Sequence, residues 1–414
     1  MDDIASTTDN SAITSELTSE TPEGGNQFSR LWIRLFFLMI ACAILYFPGT
    51  KLYRSQKDKA FKSACKAAVE QEDWKGLLET SNRWRNWNPQ QGDALIFLAE
   101  AHVQLGEFEQ AAERLGQVDD SYHGALQALA ARAELLYIEL RQPYAAEETW
   151  LRMLNVNKLA DVPRQRLIYF YAMSLQRKKM LDLIHESMQL GCEPLESYTY
   201  LLIVNSLNFS DGLVLMTRWL QSAPGDETFE VAQAVYAAKK TADNAMATFG
   251  IQTLIPGDRS LLDKSLQKYP ANLEALAIQI DFLIFEGDAE QVAKLISQAS
   301  PDAEFDSRFW RYRAWLLSNR QRHQDAADSL KQALELNPYD WQARWLLADV
   351  YRKLGRAAEA DQVAKLGRQG KELQSKLFAL PNARQLTEEV AAELIDYLRA
   401  IGPSPALEAI ERRL

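Results

Sequence analysis

FWRYRAWLLSNRQRHQDAADSLKQALELNPY (309–339) and WQARWLLADVYRKLGRAAEADQVAKLGR (341–368) decide the fold of this chain. Offset by 34 residues, they correspond in kind: Ala314 falls on Ala348, Leu317 on Tyr351, Ala326 on Ala360, Leu330 on Ala364 and Ala333 on Gly367. Small residues recur where two helices must approach closely, and large ones recur where they interlock. A self-similar period of this length marks a repeated helical hairpin.

Composition agrees. In 414 residues there are only 18 Gly and 14 Pro, so the bias is towards helix. With 47% hydrophobic residues the chain can form two ordinary domains or one extended array. A net charge of −10 argues against a nonspecific nucleic-acid binder, which carries a basic excess. Cys42, Cys65 and Cys192 form no CxxC pair and no ligand-like spacing, so no disulfide framework is expected.

The N-terminus reads as two segments. Residues 1–29 are rich in Ser, Thr, Asp and Glu, lack Lys and Arg, and are expected to be a disordered acidic tail. The run LWIRLFFLMIACAILYF (31–47), closed by Pro48-Gly49, reads as a transmembrane helix over 30–48. Arg34 can snorkel, and Trp32 and Tyr46 suit the interfaces. A cleaved signal, a lipobox at Met39–Cys42 and a buried helix are the alternatives. A basic juxtamembrane linker, 49–57, follows. Lys51, Arg54, Lys57, Lys59, Lys62 and Lys66 on the C-terminal flank outnumber Arg30 and Arg34, which favours a single-pass protein with its large part in the cytoplasm. The opposite, periplasmic or outside orientation is the alternative.

From residue 58 to 370 the chain reads as helix after helix. Pro163, Pro194, Pro224 and Pro256 stand 31, 30 and 32 residues apart, as proline at the starts of regular helix pairs would. DALIFLAEAHVQLGEFEQAAERL (93–115) is the best N-terminal copy, with a Leu105-Gly106 turn and Ala111-Ala112 at the close contact. A divergent copy precedes it, with Trp74, Leu77 and Trp84 on its second helix. Further copies fall near 124–157, 163–193, 195–222, 227–254 and 271–299, an extra helix within 256–268, and capping helices in 371–414. On these residues the chain resembles the tetratricopeptide repeat family. The resemblance implies an all-α, right-handed superhelical solenoid of antiparallel helix pairs. It also implies a binding surface in place of a reaction centre.

The sequence has no GxxxxGK[ST], GxGxxG, HExxH or GxSxG, so neither an enzyme nor a cofactor nor a metal is expected. His102, His123, His185 and His323 lie far apart, and His102 takes a packing position. Asp119-Asp120 and Glu147-Glu148 read as exposed charges. In the family the first helix of each pair lines the concave face. That places Arg308, Arg311, Trp315 and Asn319, then Gln342, Trp345, Asp349 and Arg352, in a protein-binding groove. Arg166, Tyr169 and Arg177 are the middle-copy counterparts, and Asp93, Ile96, Glu100 and Gln104 the N-terminal ones. Trp and Arg dominate interface hot spots, although solvated arginine and inter-helix tryptophan are the plainer reading of the same residues.

The function expected is a membrane-anchored scaffold or adaptor, held by residues 31–47, that recruits a protein or peptide partner bearing acidic and apolar residues. No nucleic acid or small-molecule substrate is expected. The alternatives are a structural accessory subunit of an envelope biogenesis or secretion complex, and an enzyme or polysaccharide binder using the tryptophan-rich stretch.

Overall fold

The computed structural model describes residues 25–240, 255–256, 258–380 and 387–413. It forms two compact units, Met1–Asp73 and Trp74–Leu414. The first contains one long helix, α1, Gly25–Glu70. This corrects three expectations. Residues 25–29 are helical, Pro48-Gly49 does not end the helix, and no separate linker spans 49–57. Proline inside a helix costs roughly 3 kcal/mol. Here it sits between an apolar run and a stretch rich in Lys, Gln and Ala, both good helix formers, and the helix continues. Residues 1–24 of the expected tail lie outside the described residues. Among the described residues no helix is long and apolar enough to cross a membrane. The span expected at 30–48 has no support there, and most side chains of 31–47 fall outside the described ones.

The second unit is a succession of short antiparallel helices. They are α2 (Trp74–Trp87), α3 (Gly92–Gln104), α4 (Phe108–Gly116), α5 (Ala125–Glu134), α6 (Pro143–Val156), α7 (Asp161–Met173), α8 (Arg177–Leu190) and α9 (Glu196–Ile203), then α10 (Gly212–Ser222) and α11 (Glu227–Ala238). After the two-residue antiparallel pairing of Lys239–Lys240 with Ile255–Pro256 come α12 (Ser260–Lys268), α13 (Leu273–Glu286), α14 (Ala289–Gln298), α15 (Ser307–Asn319), α16 (His323–Leu336), α17 (Trp341–Lys353), α18 (Ala357–Ala379), α19 (Glu388–Ile401) and α20 (Pro405–Arg413). The copy expected over 227–254 is described only as far as Lys240. The boundary read at 370 falls inside α18.

The small residues picked out by the repeat do the close packing. Ala111, Ala314, Ala326, Ala348 and Ala360 are all buried. At Gly367 a Cβ would come within 2.7 Å of Trp345 Cδ1. Gly106 turns the α3–α4 hairpin at φ +78° and Gly355 the α17–α18 hairpin at φ +74°, a region that favours glycine.

The array departs from a solenoid in which each repeat touches only its neighbours. One hydrophobic cluster runs from Ala112 in α4 to Ile410 in α20. The C-terminal helices fold back on the middle of the array. Gln374 Nε2 on α18 donates to the Leu202 carbonyl of α9 at 3.1 Å, and Arg413 Nη1 donates to the Glu193 carbonyl at 2.9 Å. Arg412 donates to the Met188 carbonyl of α8. Every residue of α9 is buried, as in a helix enclosed on all sides.

Candidate partner-binding surface

The first-helix residues expected to line one groove meet two fates. On α15, Arg308 and Arg311 are only 4% and 7% exposed. Arg308 reaches Glu274 of α13 at 2.6 and 3.0 Å and Asp306, the N-cap of its own helix, at 2.6 Å. Arg177 of α8 joins the same Glu274 carboxylate. Arg311 Nη1 lies 2.9 Å from Asp340 Oδ2, which also accepts from Asn205 Nδ2 at 2.8 Å. Tyr312 donates to Asp281 Oδ1 at 2.9 Å. These residues come from α8, the turn after α9, α13, α15 and the start of α17. They knit successive turns of the array together.

The electrostatics match a closed network. Burial alone would raise the Asp306 carboxyl, but the Arg308 guanidinium beside it holds it below the usual carboxylate range. Burial likewise opposes charge on Arg308 and Arg311, and Asp306 and Asp340 overcome it, so both guanidiniums stay strongly basic. Two charges taken out of water are tolerated only with such pairing. Arg308 and Arg311 are therefore structural here, a correction to their placement on an open groove. Trp315 is half-buried against the cluster of Leu276, Ile280 and Phe309. Asn319, at the end of α15, is exposed.

On α17 the corresponding face is open. Trp345 is 50% exposed, and Asp349 and Arg352 are exposed beside it. Asp349 pairs with Lys353 at 2.8 Å. Trp345 lies on the bare backbone of Gly367 and stands edge-on to Trp341, with ring centroids 6.5 Å apart and planes at 90°. Trp341 Nε1 donates to Gln374 Oε1 at 2.8 Å, which fixes that indole. Lys371 Nζ sits 5.5 and 5.7 Å from the Trp341 and Trp345 rings, within cation–π range. Gly367 and Lys371, on the second helix of the pair, also border this face and were not among the residues the sequence placed there. The offset that lays Gly367 on Ala333 was the available signal, but it reported packing only.

Elsewhere three of the polar residues singled out from the sequence have structural partners. Glu147, read as exposed, is buried and accepts from Tyr171 Oη at 2.8 Å. His102 Nδ1 meets Glu107 Oε2 at 2.6 Å. Arg166, of the middle copy, pairs with Glu134. Among the described residues no group of His, Cys, Asp and Glu is placed to hold a metal ion. A cleft of about 520 Å³ between the α8–α9 turn and α20, and a shallower one of about 340 Å³ over α10, do not include Trp345 or Arg352.

Residues 83–135 and 320–370 match the model of the tetratricopeptide repeat family. The second segment contains the open α17 face. Among curated proteins none matches the chain. Three solved structures resemble it at low identity. Yeast Tom70 is 14% identical over 90% of this chain and 96% of its own, with a TM-score of 0.27. A tetratricopeptide repeat protein of Parabacteroides merdae is 12% identical over 71% of this chain and 99% of its own, with a TM-score of 0.26. The human IFIT1 dimer is 13% identical over 81% of this chain and 70% of its own, with a TM-score of 0.30. At these scores none of the three bears on how the whole array is arranged.

Proposed function

We propose that this chain is a membrane-tethered, non-enzymatic scaffold that holds a protein partner on its repeats and brings it to the bilayer. The observation that carries the reading is the open face of α17. Arg308 and Arg311 on the preceding repeat are buried and paired, whereas Trp345 is half-exposed on a repeat helix, and a half-exposed tryptophan there is a surface for contact. Tethering rests on the apolar run 31–47 within α1. Orientation rests on the lysines and arginines that follow it, which favour the cytoplasmic side.

The test is a photo-crosslinking amino acid at Gln342 in the full-length protein, in its native membrane. One dominant captured protein at that site supports a scaffold and identifies the side of the membrane. No capture at Gln342 overturns it. Removing residues 31–47 should release the chain to the alkaline-carbonate supernatant; retention in the pellet would end the anchor assignment.

A structural subunit of a larger envelope assembly is the second reading. The closure of the C-terminal helices on α8 and α9 supports it, since a self-closed array is a rigid building block. A constant copurification ratio across detergents would favour it over an exchanging adaptor.

A further inference from the structure

We infer that the α17–α18 face is a built anchor for a short acidic segment of a partner protein that carries one apolar side chain. This rests on the scaffold reading above and assigns the partner's chemistry. The apolar element is the upper face of Trp345. Gly367 lies under the ring, where any Cβ would stand 2.7 Å from Cδ1. Trp341 abuts its edge, and Gln374 holds Trp341 while donating to the Leu202 carbonyl of α9. The indole is therefore positioned from below and from the side before any partner arrives, with 50% of the residue left to water. A pre-set aromatic surface loses little conformational freedom on binding and gains the area it covers.

Charge sets the rest of the partner. Arg352 on α17, and Lys365 and Arg368 on α18, form no ion pair among the described residues, whereas Asp349 is taken by Lys353. The two helices are antiparallel, with Gly367 opposite Trp345 and Lys371 over Trp341 and Trp345. Arg368 and Lys371 thus lie towards the start of α17, and Arg352 lies two turns towards its end. Seven helical residues separate Trp345 from Arg352, about 10 Å. An extended chain covers that in about three residues. The complementary segment has its apolar residue at Trp345, a carboxylate next to it facing Arg368, and a second about three residues away facing Arg352. The preceding repeat cannot extend the site. Arg311, which the 34-residue offset lays on Trp345, is buried against Asp340.

The experiment uses fluorescein-labelled Gly-Glu-Phe-Gly-Ser-Glu-Gly with the full-length protein in mild detergent, read by anisotropy. Two control peptides replace Phe by Ala, or both Glu by Lys. We expect saturable binding of the acidic Phe peptide that weakens with salt, and none of either control. Trp345→Ala and Arg352→Glu should each weaken it at least about tenfold. Gly367→Ala, which pushes on the indole without removing it, should weaken it less, with helical circular dichroism unchanged in all three. No binding of the acidic peptide, equal binding of the lysine peptide, or an unaffected Trp345→Ala protein overturns the inference. Capture at Gln342 in native membranes that is undiminished by Trp345→Ala would sink this anchor and leave the scaffold standing. Absence of any capture would sink the scaffold itself.

Discussion

Asp340 shows how much one side chain can hold. It caps α17 by accepting from the Ala343 amide at 2.9 Å, neutralises Arg311, and accepts from Asn205 135 residues earlier. Asp340→Ala strands a buried guanidinium, and we expect a loss of about 3–5 kcal/mol in urea unfolding. A loss below about 1 kcal/mol would mean that water reaches Arg311. Lys239 presents the opposite situation. Part of the residue is exposed, but its amine is desolvated and near Arg177 and Arg308, which together bring its pKa down to about 7 against the partial help of Asp281. An unfolded lysine titrates at about 10.4. Between about pH 7 and 10 the unfolded chain therefore binds more protons, and stability rises with pH across that window. The penalty is fully felt below pH 7. Lys239→Met should flatten this rise and stabilise the protein at pH 6; an unchanged pH profile would show that the amine is solvated.

At the scale of elements, local signals and long-range packing meet at helix ends. Asp226 caps α11, accepting from the Phe229 amide at 3.0 Å, and the same carboxylate accepts from Tyr144 Oη at 2.9 Å. Tyr144 stacks on Phe229 with centroids 4.9 Å apart. Asp226→Ala should cost about 1–2 kcal/mol in thermal or urea unfolding, the upper range for a lost cap, because it also orphans the tyrosine. Tyr144→Phe should cost less; an equal cost would place the loss on the tyrosine. The α5–α6 hairpin adds a device that periodicity does not reveal. Leu135–Glu139 is a π-helical turn, closed by Leu140 N–H on the Leu135 carbonyl at 2.9 Å. It places Tyr137 against both Trp150 and Trp219.

The whole second unit is bound by contacts between residues far apart in sequence: Arg177 with Glu274, Asn205 with Asp340, Gln374 with Leu202, and Arg413 with Glu193. A linear solenoid unfolds in stages as end repeats fray. Here the C-terminal end is fastened to the middle, so we expect one cooperative urea transition with coincident circular dichroism and tryptophan fluorescence. In the Gln374→Ala/Arg412→Ala double variant the amides of 196–203 should exchange faster with deuterium, and the two probes should separate. A stepwise unfolding of the unaltered protein would show that the closure carries little energy.

Sequence alone determined the helical hairpins. Ala314, Ala326, Ala348 and Ala360 sit where the 34-residue offset demands, because close helix contact admits only small residues and this constraint is local. The absence of catalytic motifs and the family resemblance were also local readings. Which residues face open space was not. Arg311 and Trp345 hold equivalent places in successive repeats, yet one is buried and the other half-exposed. The difference lies in Asp340, which pairs with Arg311 and is itself held by Asn205, a residue from the turn after α9 that the coiling of the array brings there. Burial is set by what the rest of the chain places against a residue, and sequence spacing does not encode that. The same reason explains α1. A Pro-Gly pair reads as a break, and whether it breaks depends on the summed helical preference on both sides of it.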